Sequence, residues 1–251
     1  MKAIILSAGY ATRLYPLTLN QPKGLLPIGD KSILDYITDE IEKIKEIDEI
    51  FIITNHKFYE HFLNWSKTRK THLAIQVFDD KSTDDSNKLG AIGDIQYTIE
   101  NGNIDEDILV VAGDNFFTFD MLDYYNFYKQ KDADTILVKE LFEKKELQRM
   151  GNAILDKDDR VIEMEEKPQE PKSNCAVFAS YIYKRSTVPL IAQYLKEGNN
   201  PDAPGFFPSW LHKQKPVYAY KFQGECYDIG TPESYKEVCE KFGGNEQNGH
   251  K

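Results

Sequence analysis

Several residues in this chain have types and spacings suited to chemistry on phosphates. The run Ser7-Ala8-Gly9-Tyr10-Ala11-Thr12-Arg13 follows a short apolar stretch, Ala3–Leu6. Small residues there let backbone approach a ligand closely, and a tight turn without a ligand would use them equally well. The run has one glycine and is neither G-x-G-x-x-G nor a Walker A loop. Ten residues on, Lys23 stands in Gln21-Pro22-Lys23-Gly24-Leu25-Leu26-Pro27, between two prolines that stiffen its backbone. A lysine so held among apolar neighbours is poorly placed as a solvated surface charge. Residues 1–31 carry Lys2, Arg13, Lys23 and Lys31 against Asp30, so this acidic chain begins with a basic segment suited to a polyanion.

Carboxylates supply the opposite charge. Asp114 follows the apolar run Ile108–Val111 and Gly113, and a hard oxygen ligand there suits Mg²⁺; capping of the helix expected near Asp120 would also explain it. Asp228 precedes Thr231-Pro232, which reads as an N-cap followed by proline in the first helical position. In Val161–Pro168, strand alternation puts Ile162, Met164 and Glu166 on one face, so Glu166 points with apolar residues and needs a partner. As bare sequence, Glu165-Glu166-Lys167-Pro168 is equally an ordinary strand end. The histidines at 56, 61, 72, 212 and 250 show no ligand spacing, and no Ser/His or Cys/His nucleophile system is evident.

The elements that must position these groups can be read from apolar periodicity. Ala3–Leu6, Ile50–Ile53 and Ile108–Val111 are continuous and rich in β-branched residues, as fully buried strands are; Leu73–Phe78 is a further strand. Ile33, Ile37, Ile41 and Ile44 recur at helical spacing after Ser32, which with Asp35 resembles a capping box. Leu89–Glu100 and Phe119–Lys131 are helix candidates. Strand and helix in repetition predict an α/β fold, a Rossmann-like, mostly parallel central sheet flanked by helices. In such sheets ligands bind beyond the carboxyl ends of the strands, which puts Asp114 on the edge that carries the first loop. After Asp132 the segments Thr135–Val138, Asn152–Leu155, Arg160–Glu165, Ala176–Tyr183 and Val217–Phe222 are strand-like with fewer helices, which predicts mixed pairing in a part packed on the first half without its own core. The expected division is one domain over 1–241, with halves 1–131 and 132–241, and a flexible tail over 242–251. No left-handed β-helix repeat is present.

Composition limits the classes of partner. The chain has 251 residues, 41% of them hydrophobic, and 31 basic against 41 acidic residues for a net charge of −10. That balance disfavours nucleic acid and anionic membrane. Cys175, Cys226 and Cys239 are odd in number and lack C-x-x-C spacing, which argues against a disulfide framework or zinc site and fits a reducing cytoplasm. No apolar run approaches the ~18 residues of a membrane span.

Leu6–Thr18 together with Pro22–Ile33 resembles the signature of the sugar-1-phosphate nucleotidylyltransferases, L-A-x-G-x-G-T-R-L-x-P-L-T followed by P-K-x-L-L-P-[IV]-x-x-K-P-[IL]. Ser7 and Ala11 replace the usual Ala and Gly, and Gly24 and Ser32 stand where the family often has Pro. The similarity extends over about residues 1–240. It implies transfer of a nucleotidyl group from an NTP to a sugar-1-phosphate, giving an NDP-sugar and pyrophosphate. Leu6, Ala8 and Gly9 would bind nucleotide, Arg13 and Lys23 would be catalytic, and Asp114 and Asp228 would bind Mg²⁺ (or Mn²⁺). The E-K-P match at Glu166-Lys167-Pro168 implies that Glu166 holds sugar hydroxyls and Lys167 the sugar phosphate, with Asn115, Gly151 and Asn174 as further substrate contacts; Met150 replaces a common tyrosine. Leu89 and Gly90 fall on the family's base-reading segment, without its usual upstream glutamine. Gly113-Asp114-Asn115 is typical of members using dTTP or UTP, with glucose-1-phosphate as the favoured sugar and a homo-oligomer allowed. Cytidylyl- or guanylyltransferases on another phosphate, a nucleotide-sugar glycosyltransferase, and a non-catalytic subunit that senses nucleotide sugars are the alternatives; the glycosyltransferase would want D-x-D where Asp114-Asn115-Phe116 stands.

Overall fold

The computed structural model describes residues 1–244. Its strands are β1 (Lys2–Ser7), β2 (Pro27–Ile28), β3 (Lys31–Ser32), β4 (Glu49–Thr54), β5 (Ala74–Asp79), β6 (Ile108–Ala112), β7 (Asn115–Phe117), β8 (Asp134–Glu140), β9 (Gly151–Leu155), β10 (Val161–Glu166), β11 (Cys175–Tyr183), β12 (Val217–Lys221) and β13 (Cys226–Asp228). Its helices are α1 (Ile33–Ile41), α2 (Tyr59–Thr68), α3 (Ala91–Asn101), α4 (Met121–Lys131), α5 (Lys144–Leu147), α6 (Val188–Lys196), α7 (Phe206–Leu211) and α8 (Pro232–Phe242).

Nine strands form the central sheet, along the path β10-β9-β11-β6-β1-β4-β5 with β8 and β12 branching from β11. The portion β6-β1-β4-β5 is parallel throughout, as expected of continuous apolar runs joined by helices. Beyond β6 the pairing is mixed. The long strand β11 runs antiparallel to β8 along one edge, and along the other to β9 near its start and β6 at its end.

Because central strands are buried on both faces, successive side chains enter different cores. Ala3 and Ile5 of β1, Ile50 and Ile52 of β4, and Leu109 and Val111 of β6 join one cluster with α1, α4 and α8. Ile4, Phe51, Ile53, Ile108 and Val110 join the other, with α3, α6 and α7. Both clusters draw on residues before and after position 131, including Leu137, Phe178 and Ile182 in the first and Ile136, Val177 and Tyr181 in the second.

Three local expectations need correction. The register of β10 against β9 shifts between Val161 and Glu163, so Val161 and Met164 turn inward and Ile162 is 56% exposed, off the face of Met164. Sequence periodicity missed α2 and gave too few helices after Asp132, where α5, α6 and α7 form; α8 starts at the Thr231-Pro232 cap read from the sequence. Phe242, expected in the tail, closes α8, its ring 4.8 Å from Phe116; the expected tail beyond residue 244 lies outside the described residues. Among the described residues, no helix is long and apolar enough to cross a membrane.

Candidate active site

The strand order places the first loop beside the exit of β6, and short contacts weld the two together. The Gly113 amide donates to the Leu6 carbonyl at 2.8 Å, and buried Asn55 donates from Nδ2 to the Ala8 carbonyl at 2.9 Å. Lys23 opens a short 3-10 turn, Lys23–Leu25, carried to the same place by a close backbone approach. A Cβ on Gly24 would lie 2.7 Å from the Gly113 carbonyl oxygen, so only glycine lets the two segments meet.

This contact delivers Lys23 to the carboxylates. Its side chain is 8% exposed, and its ammonium donates to Asp114 Oδ2 at 2.9 Å and to Asp228 Oδ1 at 3.3 Å. The aspartates are neighbours because β7 and β13 pair antiparallel with Asn115 opposite Asp228. Buried Ile229 follows, then Thr231, which caps α8 in a box with Ser234 while Pro232 takes the first helical position.

Arg13 lies in the 3-10 turn Thr12–Leu14, which begins at Ala11 in the left-handed region with φ 48° and ψ 40°. Its guanidinium Nη2 would lie 3.3 Å from a Cβ on Gly230, beside the Asp228 segment. Among the described residues Arg13 has no carboxylate partner. Lys23 is thus neutralised by protein, whereas the Arg13 charge faces the cavity without a carboxylate among the described residues. Between them lies a cavity of about 380 Å³, walled by Leu6, Gly9, Arg13, Lys23 and Asp114, with Asp85 and Lys88 among the remaining lining. A concave site with convergent cations and backbone is equipped to hold phosphates.

Asp114 and Asp228 are also suited to a divalent ion. They present hard oxygens to one shared point, now held by an ammonium, and both are exposed toward solvent. Two carboxylates plus phosphate oxygens are a donor set that Mg²⁺ accepts. Among the described residues, no group of three or more His, Cys, Asp or Glu could hold a metal alone.

The other expected residues are distributed unevenly. Leu6 and Gly9 line the cavity, while the Ala8 carbonyl is already claimed by Asn55. Leu89 and Gly90 do not line it; Gly90 precedes α3, whose first amides, Ala91 and Ile92, donate to the Asp202 and Pro201 carbonyls. Glu166, Lys167, Gly151 and Asn174 also lie outside its wall. Asn115 opens β7 beside Asp114. Glu166 ends β10 against Gly151 and Gly205, and burial, opposed by the Lys167 charge, pushes its carboxyl up to about 7. Lys167 is exposed, with φ 50° and its amide bonded to the Met150 carbonyl at 3.1 Å. Asn174 is exposed, and its carbonyl accepts from the Leu141 amide at 2.8 Å.

Sequence reasoning passed over Asn55, the rim residues Asp85 and Lys88, and Asp94. Asp94 is 6% exposed in the first turn of α3, and its Oδ1 has no hydrogen-bond partner. Burial, reinforced by nearby Asp80 and opposed by Lys88, pushes its carboxyl up to about 8. Its signal was an acidic residue between Ile92 and Ile95 on a helix otherwise read for its apolar stripe.

Comparison with known proteins agrees with this architecture. Residues 2–243 match the family described as nucleotidyl transferase. A glucose-1-phosphate adenylyltransferase of Clostridium acetobutylicum is 30% identical over 254 residues, covering 94% of this chain and 65% of the relative. The bifunctional protein GlmU of Methanocaldococcus jannaschii is 31% identical over 233 residues, covering 92% of this chain and 52% of the relative. The chain therefore spans between half and two thirds of the length of these curated relatives. A crystal structure of UDP-glucose pyrophosphorylase complexed with UDP-glucose superposes with a TM-score of 0.81 over 96% of this chain and 97% of that one, at 22% identity, a likeness of fold.

Proposed function

From its membership of the nucleotidyl transferase family, to which the chain belongs over residues 2–243, we propose that it transfers a nucleotidyl group from an NTP to a sugar-1-phosphate. The products are an NDP-sugar and pyrophosphate. The observation that carries this reading is the buried Lys23 ammonium between Asp114 and Asp228 at a cavity walled by the Leu6–Arg13 loop.

In the reaction a sugar-phosphate oxygen attacks the α-phosphorus, the bond to the β-phosphate oxygen breaks, and pyrophosphate carries away the electron pair. The nucleophile is already an anion at neutral pH, so no general base is required. Positioning and charge neutralisation supply the catalysis. Arg13, with no carboxylate partner among the described residues, clamps the leaving phosphates; Lys23 neutralises charge near the α-phosphate. Asp114 and Asp228 would hold Mg²⁺ or Mn²⁺, which supplies further positive charge to the phosphates when bound. Glu166 accepts from sugar hydroxyls and Lys167 pairs with the sugar phosphate. Asn115, Gly151 and Asn174 complete that side.

Within this class we favour dTTP or UTP with glucose-1-phosphate, on the resemblance carried by Gly113-Asp114-Asn115. The test is a panel of nucleoside triphosphates against sugar-1-phosphates, read as pyrophosphate release. Metal-dependent release with a single preferred pair is expected; no release with any pair would sink the proposal.

A further inference from the structure

The Glu166 carboxylate is half-buried and has no protein donor: among the described residues, none gives it a hydrogen bond or an ion pair. What holds it is shape. A Cβ on Gly205 would overlap Oε2 and lie 2.7 Å from the carboxyl carbon, and one on Gly151 would lie 3.0 Å from Oε2. Real Cβ atoms do not approach as closely as one on Gly205 would, and one on Gly151 would be a tight contact, so the carboxylate occupies a slot that two glycines leave open. A salt bridge would fix the group by claiming its lone pairs. Two backbone walls fix it and leave them free.

The Gly205 wall is firmly mounted. Its carbonyl accepts from the Ser209 hydroxyl at 2.8 Å and amide at 3.2 Å, and Phe207 is wholly buried against Tyr183, Tyr194 and Trp210. At the other end of the loop, the Pro201 and Asp202 carbonyls accept from Ile92 and Ala91 at 2.9 and 3.2 Å, and Asp202 pairs with Lys88 at 2.8 Å. A loop tied at both ends will not retreat from an added methyl group. The longer, rotatable Glu166 side chain must move instead.

We propose that Gly205 is a positioning residue that sets where the Glu166 carboxylate meets the sugar. This rests on the reading of Glu166 as a sugar-hydroxyl acceptor, and it assigns to the 201–205 loop a share in choosing the sugar. Gly151, on the opposite side, belongs to the same slot.

The test measures steady-state KM for glucose-1-phosphate and for the nucleotide in wild type, Glu166→Ala, Gly205→Ala, Glu166→Asp and the double variant Gly205→Ala/Glu166→Asp. Gly205→Ala should raise the sugar-phosphate KM about 10-fold or more while the nucleotide KM stays within about twofold, since a bent or lost charge-assisted hydrogen bond weakens binding by roughly that factor. The shorter side chain introduced by Glu166→Asp leaves room for the methyl, so the double variant should be no worse than Glu166→Asp alone. An unchanged sugar KM in Gly205→Ala, while Glu166→Ala raises it, overturns the positioning role. So does a parallel rise in both KM values without relief in the double variant. A flat sugar KM in Glu166→Ala marks the sugar reading itself as wrong. Should Gly205→Ala not fold alone, the double variant, in which the shorter acid removes the overlap, carries the test: a sugar-phosphate KM well above that of Glu166→Asp alone overturns the positioning role.

Discussion

Lys23 stands where a divalent ion would sit between Asp114 and Asp228, 2.9 and 3.3 Å from their oxygens. In the proposed reaction nucleotide phosphates would give this ammonium new partners, so lysine and metal would not compete once nucleotide is bound. Lys23→Ala should lower turnover by about 10²-fold, because it removes a preorganised cation from the developing charge. The same variant leaves two carboxylates uncompensated, so it should bind Mn²⁺ more tightly than wild type without nucleotide. Pyrophosphate release and Mn²⁺ titration measure the two effects; wild-type values in both would refute the assignment. Asp94 gives a second, pH-dependent expectation. Its carboxyl is held at about 8 in the folded state against an ordinary 3.8, so between those values the native state keeps a proton the unfolded chain has released. Stability therefore falls as pH rises through that window and levels off above it. Asp94→Asn should raise the Tm by about 4 °C at pH 8, if relief of the buried charge is worth about 1–2 kcal/mol, with the gain vanishing near pH 4. A pH-independent difference in thermal melts would show that the carboxyl does not titrate as inferred.

At the scale of elements, what could be read in advance divides by physical cause. β1, β4 and β6 were legible because a strand buried on both faces needs an unbroken apolar run. α1 was legible from isoleucines at helical spacing and its cap. Helix α2 was not, since of its ten residues only Phe62 is buried and its pattern is mostly polar. The bulge in β10 could not be foreseen either, because one extra residue changes which side chains share a face without altering the run. At the site, the sequence named Lys23 from a two-segment signature and Asp114 and Asp228 from two later segments, and the structure brings these three side chains together. The Asn55 staple, the slot around Glu166 and the Asp94 burial arise from elements distant in sequence. The Ser32 cap can be tested by itself: the Asp35 amide donates to Ser32 Oγ at 3.1 Å and the Asp35 carboxylate accepts from the Ser32 amide at 2.8 Å. Ser32→Ala should cost about 1 kcal/mol, a Tm drop of about 2–4 °C, with both substrate KM values unmoved. A shift in either KM would mean that α1 steers the Lys23 turn, to which it is tied through the Ile33 amide and Leu26 carbonyl at 3.2 Å.

For the whole molecule, the decisive feature is that β6 pairs with β1 on one side and with β11 on the other. Its second neighbour is encoded far downstream, across the mid-chain boundary that sequence rhythm suggested. A fragment of residues 1–131 should therefore lack a cooperative melt and self-associate, whereas co-expression with residues 132–251 should restore a soluble pair. A monomeric, cooperatively melting 1–131 fragment would show that the parallel half folds unaided. The same pairing has a consequence for biosynthesis. Between completion of β6 at Ala112 and of β11 at Tyr183, a growing chain carries an apolar strand with one open edge. At about 5–20 residues per second that interval lasts roughly 4–14 s. Any ribosomal pause within it lengthens the time during which Ile108–Ala112 can pair with a neighbouring nascent chain instead of its own.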